Sequence, residues 1–282
     1  MKKIIAAMLS ALVGLFGYTI VDTAIETRVS TLESRVAELE AYHGIDDDEP
    51  VTRPVTTKRP TTTEAPPTGS GYCGDYATWE LTADGTLTIS GKGDMYDDYN
   101  CWHDYREYIK RIVIKEGITS IGEFSFSSLE NITAVTIPNG VTKIGFGAFK
   151  YCEKLTRIVI PNSVTTIDSY AFEYCVCLAD ITIPDGVTYI DQGAFEGCER
   201  LTSIVLPESV RNIYYRAFFN CTNLKSITIG KSLKMIGEMA FVGCENLTDV
   251  YYRGTEEDWN AIDFSKNNAR LTDATIHYNY TA

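Results

Sequence analysis

The chain is short of the residue types that do chemistry. Its 282 residues hold three histidines, His43, His103 and His277, each in a different segment. A metal site or a Cys/His pair would need such side chains gathered, and nothing in their spacing gathers them. There is no phosphate-binding glycine loop, no nucleophile elbow and no zinc-ligand spacing, so neither an enzyme nor a cofactor or metal is expected. Basic residues are also few: 25 Lys and Arg stand against 38 Asp and Glu, a net charge of −13, and after residue 70 the balance is 18 against 28. That deficit excludes nucleic acid and anionic lipid as partners of this part of the chain. Asp94, Asp97 and Asp98 cluster, but they read as an exposed turn rather than a calcium site. Proline is scarce too, nine in all, and falls into two sets: Pro50, Pro54, Pro60, Pro66 and Pro67, then Pro138, Pro161, Pro184 and Pro207.

The second set belongs to a strict repeat. Cys152, Cys175, Cys198, Cys221 and Cys244 lie 23 residues apart, and Phe126, Phe149, Phe172, Phe195, Phe218 and Phe241 keep the same step. A unit this short cannot bury its own apolar face and must be covered by its neighbours, so the period predicts a stacked, mostly β solenoid. One coil reads Ile144-Gly-x-x-Ala148-Phe149-x-x-Cys152-x-x-Leu155-x-x-Ile158-x-Ile160-Pro161-x-x-Val164. Ile158-x-Ile160 is a short strand with one face inward, and the proline that follows cannot continue a ladder. Small residues at 148, 171, 194 and 217 mark a corner where one large ring fills each layer. Leu129 stands in the cysteine column, so that column accepts any mid-sized apolar group and its thiols are expected to stay reduced. Cys73 and Cys101 are the pair expected to join if any disulfide forms. Trp79–Leu81 and Thr86–Ile89 alternate around Asp84-Gly85, which predicts a hairpin cap over the first coil. Glu256–Ile262 reads as a short helix and Ala274–Tyr278 as a last strand.

With these residues the chain resembles the BspA-like leucine-rich repeats of bacterial surface proteins. The repeat carries the likeness over residues 109–262. The opening Gly71-Tyr-Cys73-Gly74 with Trp79-Glu-Leu81-Thr-Ala-Asp84-Gly85, and the closing Val250-Tyr-Tyr-Arg-Gly254-Thr-Glu-Glu-Asp-Trp259, are similar to the flanks of such proteins. The resemblance implies a non-catalytic module that recognises or adheres to something outside the cell. The asparagine or cysteine that follows the strand in common leucine-rich repeats is replaced here by the proline turn, so a tightly curved horseshoe is not implied.

The first 70 residues divide into three parts. Lys2 and Lys3 precede an apolar run from Ile4 to Val21, about 27 Å of helix, close to a bilayer core. Residues 1–21 are therefore a signal-anchor or a signal peptide. The run exceeds the usual core of a cleaved signal and its small-residue pairs, Gly17-x-Thr19 and Asp22-x-Ala24, make poor cleavage sites, which favours an anchor through residues 4–21 with the C-terminus outside. Cleavage would instead release a secreted protein. In 22–45, Ile25, Val29, Leu32, Val36 and Leu39 follow heptad spacing, with Arg28 and Arg35 set to face Glu33 and Glu40 of a parallel neighbour. A trimeric or dimeric coiled-coil stalk is expected, with Val29, Leu32, Val36 and Leu39 as its seam. Residues 46–70, rich in Thr and Pro, form an extended linker. The remaining boundaries are an N-terminal cap at 71–108, the solenoid at 109–262 and a C-terminal cap strand at 263–282.

This organisation points to a cell-surface recognition or adhesion module whose ligand is an extracellular protein or polysaccharide. A self-associating surface-layer component is the alternative. Two surfaces are candidates for the ligand. Outward strand positions carry Arg157, Val159, Asp180, Thr182, Ser203, Val205, Ser226 and Thr228. On the opposite strip, Tyr170, Tyr189, Tyr214 and Tyr215 concentrate aromatic area.

Overall fold

The computed structural model describes residues 67–97 and 101–281. The apolar run 4–21, the seam residues Val29, Leu32, Val36 and Leu39, the linker as far as residue 66, and Asp98 lie outside the described residues.

A three-stranded antiparallel cap opens the fold, formed by β1 (Gly69–Tyr72), β2 (Ala77–Leu81) and β3 (Thr86–Gly91). The expected hairpin is β2–β3, and the burial of β2 alternates residue by residue as a half-covered strand requires. Asp84 locks its turn by accepting from the Thr82 hydroxyl at 2.6 Å and from the Thr86 amide at 3.1 Å. The added strand β1 begins at Gly69, two residues before the boundary read from the sequence.

Two strands per coil then follow: β4 (Gly93–Asp94) and β5 (Arg111–Ile114), β6 (Ile118–Ile121) and β7 (Ala134–Thr136), β8 (Lys143–Ile144) and β9 (Arg157–Val159), β10 (Thr166–Ile167) and β11 (Asp180–Thr182), β12 (Tyr189–Ile190) and β13 (Ser203–Val205), β14 (Asn212–Ile213) and β15 (Ser226–Ile229), β16 (Met235–Ile236) and β17 (Asp249–Tyr252). Each pairs in parallel with its counterpart a coil away, as Ile158 with Ile181 or Ile204 with Ile227. A parallel ladder with identical residues in register repeats one coil's packing in the next. The result is one continuous mostly β solenoid.

Its core is a set of columns. The phenylalanines stack face to face from Phe126 to Phe241 with ring centroids 5.3–5.6 Å apart, and Trp102 of the cap extends the column by stacking on Phe126 at 5.2 Å. Ala148, Ala171, Ala194 and Ala217 are fully buried beside them, where a larger side chain would push the rings off the axis. The five repeat cysteines are buried free thiols, as the columnar reading requires. Burial holds the thiols of Cys152, Cys198 and Cys221 well above the usual cysteine range. Cys73 in the cap is pushed up to about 12, first by burial and then by the neighbouring Cys101.

On both faces the ladder stops at the same step. The sheet containing β1, β2, β3, β5, β7, β9 and β11 ends at β11, and β13 starts a new one; likewise β10 ends one sheet and β12 begins another. The two coils stay joined at the phenylalanine corner, where Tyr170, Phe172 and Tyr174 donate backbone bonds to Gln192, Ala194 and Glu196. At the far end come α1 (Glu256–Asn260), β18 (Asp263–Phe264), α2 (Ala269–Thr272) and β19 (Thr275–His277). Thr255 and Asp258 form a capping box on α1, which aims Trp259 at Tyr252 and Phe264, 5.2 Å from each. These close the last coil, as the helix and strand signals predicted.

Candidate recognition site

The corner that carries the tyrosines is built from two columns of left-handed backbone. Phe124, Gly147, Tyr170, Gly193, Arg216 and Met239 have φ between +53 and +58, and Ser128, Tyr151, Tyr174, Gly197, Asn220 and Gly243 form a second such set. These conformations are disfavoured for side-chain-bearing residues. Amide-to-carbonyl bonds from coil to coil hold them, among them Phe124 to Phe146, Gly147 to Ser169 and Gly193 to Tyr215. Glycine alternates with large residues along the first column for a steric reason. A Cβ on Gly193 would come 2.5 Å from the Tyr170 ring, and one on Gly147 would come 2.8 Å from the Phe124 ring. Each ring lies over the glycine of the next coil.

This geometry decides what the tyrosine strip is made of. Tyr170 is half-buried over Gly193, edge-on to Phe146 at 5.3 Å and hydrogen-bonded to Gln192. Tyr189 and Tyr214 are also half-buried and meet edge to face at 6.0 Å. The Tyr215 hydroxyl approaches the Met239 sulfur at 3.9 Å, and the Arg216 guanidinium lies over both Tyr215 and Phe219. The structure therefore pairs Tyr189 with Tyr214 and places Tyr170 in a separate cluster of rings with Phe124 and Phe146. All four rings are engaged in packing between coils, and each keeps part of its surface in solvent.

Beside this strip sits a charged cluster that the sequence reading did not single out. Glu173 and Glu196 occupy the same column one coil apart, both buried. Lys150 meets Glu173 at 2.5 Å and lies over the rings of Tyr151 and Tyr170, while Arg216 is 3.7 Å from Glu196. Burial raises the Glu196 carboxyl to about 7, the Glu173 charge adds to the rise, and Arg216 and Lys150 oppose it. The signal was present in the residue that follows each phenylalanine, Lys150, Glu173 and Glu196, a column that is otherwise Ser127, Phe219 and Val242.

The outward strand positions are open as expected at Arg157, Val159, Asp180, Thr182, Ser203 and Val205, and Val159 and Val205 are 60% and 53% exposed. Ser226 is half-buried. Thr228 departs from the expectation and is buried, because Tyr251 stands beside it in the ladder and is held there by stacking on His277. Where the ladder is interrupted, a cleft of about 560 Å³ opens between Asp180, Thr182, Asp185, Ser203, Val205 and Glu208, with Arg253 bonded to Glu208 at its rim. Of the acidic turn, Asp94 accepts from the Thr119 hydroxyl and Asp97 from the Glu123 amide. Both carboxylates fasten the cap to the first coil.

A solenoid of this period, with columns of Phe, Cys and Ala and a column of four prolines following β7, β9, β11 and β13, defines a leucine-rich repeat protein. The chain belongs to the family described as BspA type leucine rich repeat region, which matches in six copies over residues 99–199 and 165–282. It is similar to a leucine rich cell surface protein of Faecalibacterium prausnitzii, with 31% identity, a TM-score of 0.53, and coverage of 68% of this chain and 56% of that one. The chain thus spans little more than half the length of that relative. A leucine rich repeat protein of T. pallidum is 25% identical, with a TM-score of 0.48 and coverage of 63% of this chain and 91% of that one. No match is found among curated proteins.

Proposed function

We propose that the chain is a non-catalytic recognition module of the cell surface that binds an extracellular protein or glycan through its solenoid. The observation that carries this reading is the open outward strand face, regular over many coils and breached by the cleft at β11 and β13. Regular, exposed surface with β-branched side chains standing in solvent is what a binding face offers. The description of the Faecalibacterium prausnitzii relative as a cell surface protein supports the placement. In this reading residues 4–21 anchor the chain in the membrane with the C-terminus outside, the stalk assembles trimers or dimers, and the linker holds the solenoid clear.

Pull-down of matrix proteins and cell-wall polysaccharides by the detergent-solubilised chain tests this reading. Specific capture of one of them is expected. Self-association with no foreign ligand captured would transfer the chain to the surface-layer alternative. Changing Tyr170, Tyr189 and Tyr214 together to Ser decides between the two surfaces: weaker capture at unchanged Tm assigns contact to the strip, and unchanged capture assigns it to the strand face.

A further inference from the structure

The most exposed large apolar side chains of the described residues lie on the cap, away from the tyrosine strip. Tyr72 is 74% exposed and Tyr76 is 69% exposed. Rings this open leave their faces to solvent. Strand alternation puts Tyr72, Thr78, Glu80, Thr88 and Ser90 on the outer face of the cap sheet, since Trp79, Leu81, Leu87 and Ile89 between them are buried. Register then aligns them: Tyr72 opposes Thr78, which opposes Ser90, and Ser70 opposes Glu80, which opposes Thr88. Tyr76 stands immediately before β2 at the edge of this sheet, next to Lys92, whose amide bonds the Tyr76 carbonyl and whose ammonium lies 5.4 Å from the ring centre. Between the strands runs a trench of about 440 Å³ lined by Ser70, Tyr72, Thr78, Glu80, Thr88 and Ser90.

We propose that this outer cap face binds an uncharged polysaccharide, with Tyr72 and Tyr76 stacking on sugar rings and Glu80 accepting from a pair of sugar hydroxyls. The proposal rests on the recognition reading above and gives it a site and a ligand class. Tyrosine offers a rigid flat apolar body with a polar tip, which suits the C–H face and hydroxyl edge of a pyranose. The trench supplies hydroxyls that can both donate and accept, and a single carboxylate that only accepts, a set matched to a ligand made of hydroxyl groups. An anionic polymer would meet Glu80 and a domain with 28 acidic against 18 basic residues after residue 70. The face also continues beyond the cap. Ser70, Glu80, Thr88, Val113, Thr136, Val159 and Thr182 form one row across seven hydrogen-bonded strands, roughly 30 Å at the usual strand spacing. Only Glu80 in that row is charged. A linear chain of sugars can lie along it.

Affinity electrophoresis of the detergent-solubilised full chain, in native gels containing mannan, xylan, mixed-linkage glucan or amylopectin, provides the test, with polygalacturonate as the anionic control. At least one neutral polymer should retard the chain, and Tyr72→Ala with Tyr76→Ala should weaken that retardation tenfold or more without moving Tm, because neither ring supports the core. Glu80→Gln should weaken it less. The proposal is overturned if no neutral polysaccharide retards the chain, or if the double variant is retarded as strongly as the wild type. Capture of a matrix protein that is insensitive to the double variant would also overturn it, while leaving the recognition reading in place.

Discussion

The thiol of Cys175 donates a hydrogen bond to the carbonyl oxygen of Phe149, 3.2 Å away on the preceding coil. Cys152, Cys198, Cys221 and Cys244 make the same bond to Phe126, Phe172, Phe195 and Phe218, at 3.1–3.3 Å. The cysteine column thus adds a second hydrogen bond to a buried carbonyl that already accepts a backbone amide, while filling a small apolar space, and Leu129 can fill the space but cannot make the bond.

This arrangement predicts unreactive thiols. All five are enclosed in the core and burial disfavours the thiolate at Cys152, Cys198 and Cys221, so iodoacetamide at pH 8 should leave the column unmodified in the native protein and label it on unfolding. Cys198→Ala should cost ~1–3 kcal/mol, since it empties a buried site and removes one of the two hydrogen bonds to the Phe172 carbonyl, which still accepts from the Cys175 amide. Rapid native-state labelling, or a 152–175 cross-link in mass mapping, would contradict the ladder.

The alternation of glycine with large side chains in the left-handed column predicts position-specific damage. Gly193→Ala adds a methyl against the Tyr170 ring at a φ of +56, and should destabilise by ~1–3 kcal/mol. Phe195→Ala in the central stack should cost ~3–5 kcal/mol. Chemical denaturation measures both, and a neutral Gly193→Ala would show that the ring is free to move aside.

These two cases show how much the sequence disclosed. The columns of Phe, Cys and Ala were legible because one period places identical residues in identical layers, and the caps were legible from local turn and capping chemistry. The left-handed column was not, because its residues, Phe124, Gly147, Tyr170, Gly193 and Arg216, share a backbone conformation and no side-chain type. For the same reason the packing of Tyr170 over Gly193 was not legible in the tyrosine strip. The interrupted ladder at β11 depends on contacts between coils, which no single coil's pattern carries, and the Glu173–Glu196 pair was legible only by reading the residue after each phenylalanine down the column.

Glu196 predicts an inverted pH dependence. Its carboxyl is raised from the ordinary 4.5 to about 7, so the folded state holds the proton more tightly than the unfolded chain. Its contribution is most favourable below 4.5 and is lost as pH rises through 7. Glu196→Gln removes this titration. Relative to that variant, the wild type should gain up to ~3 kcal/mol between pH 8 and pH 5, as measured by urea unfolding at each pH. A constant difference would mean that Arg216 and Lys150 neutralise the site fully.

The heptad residues predict assembly. The chain lacking residues 1–21 should sediment as a trimer or dimer, and Val29→Asp with Leu32→Asp should release monomers. Monomer for the unmutated segment at high micromolar concentration would remove soluble oligomerisation and leave only pairing assisted by the membrane.

The central claim is recognition without chemistry. Equilibrium binding of the full chain to its captured ligand, measured with and without EDTA and dithiothreitol and followed by sizing of the recovered ligand, tests it most directly. The account predicts the same dissociation constant in every buffer and a ligand recovered intact; a shortened ligand, or binding abolished by the chelator, would contradict it.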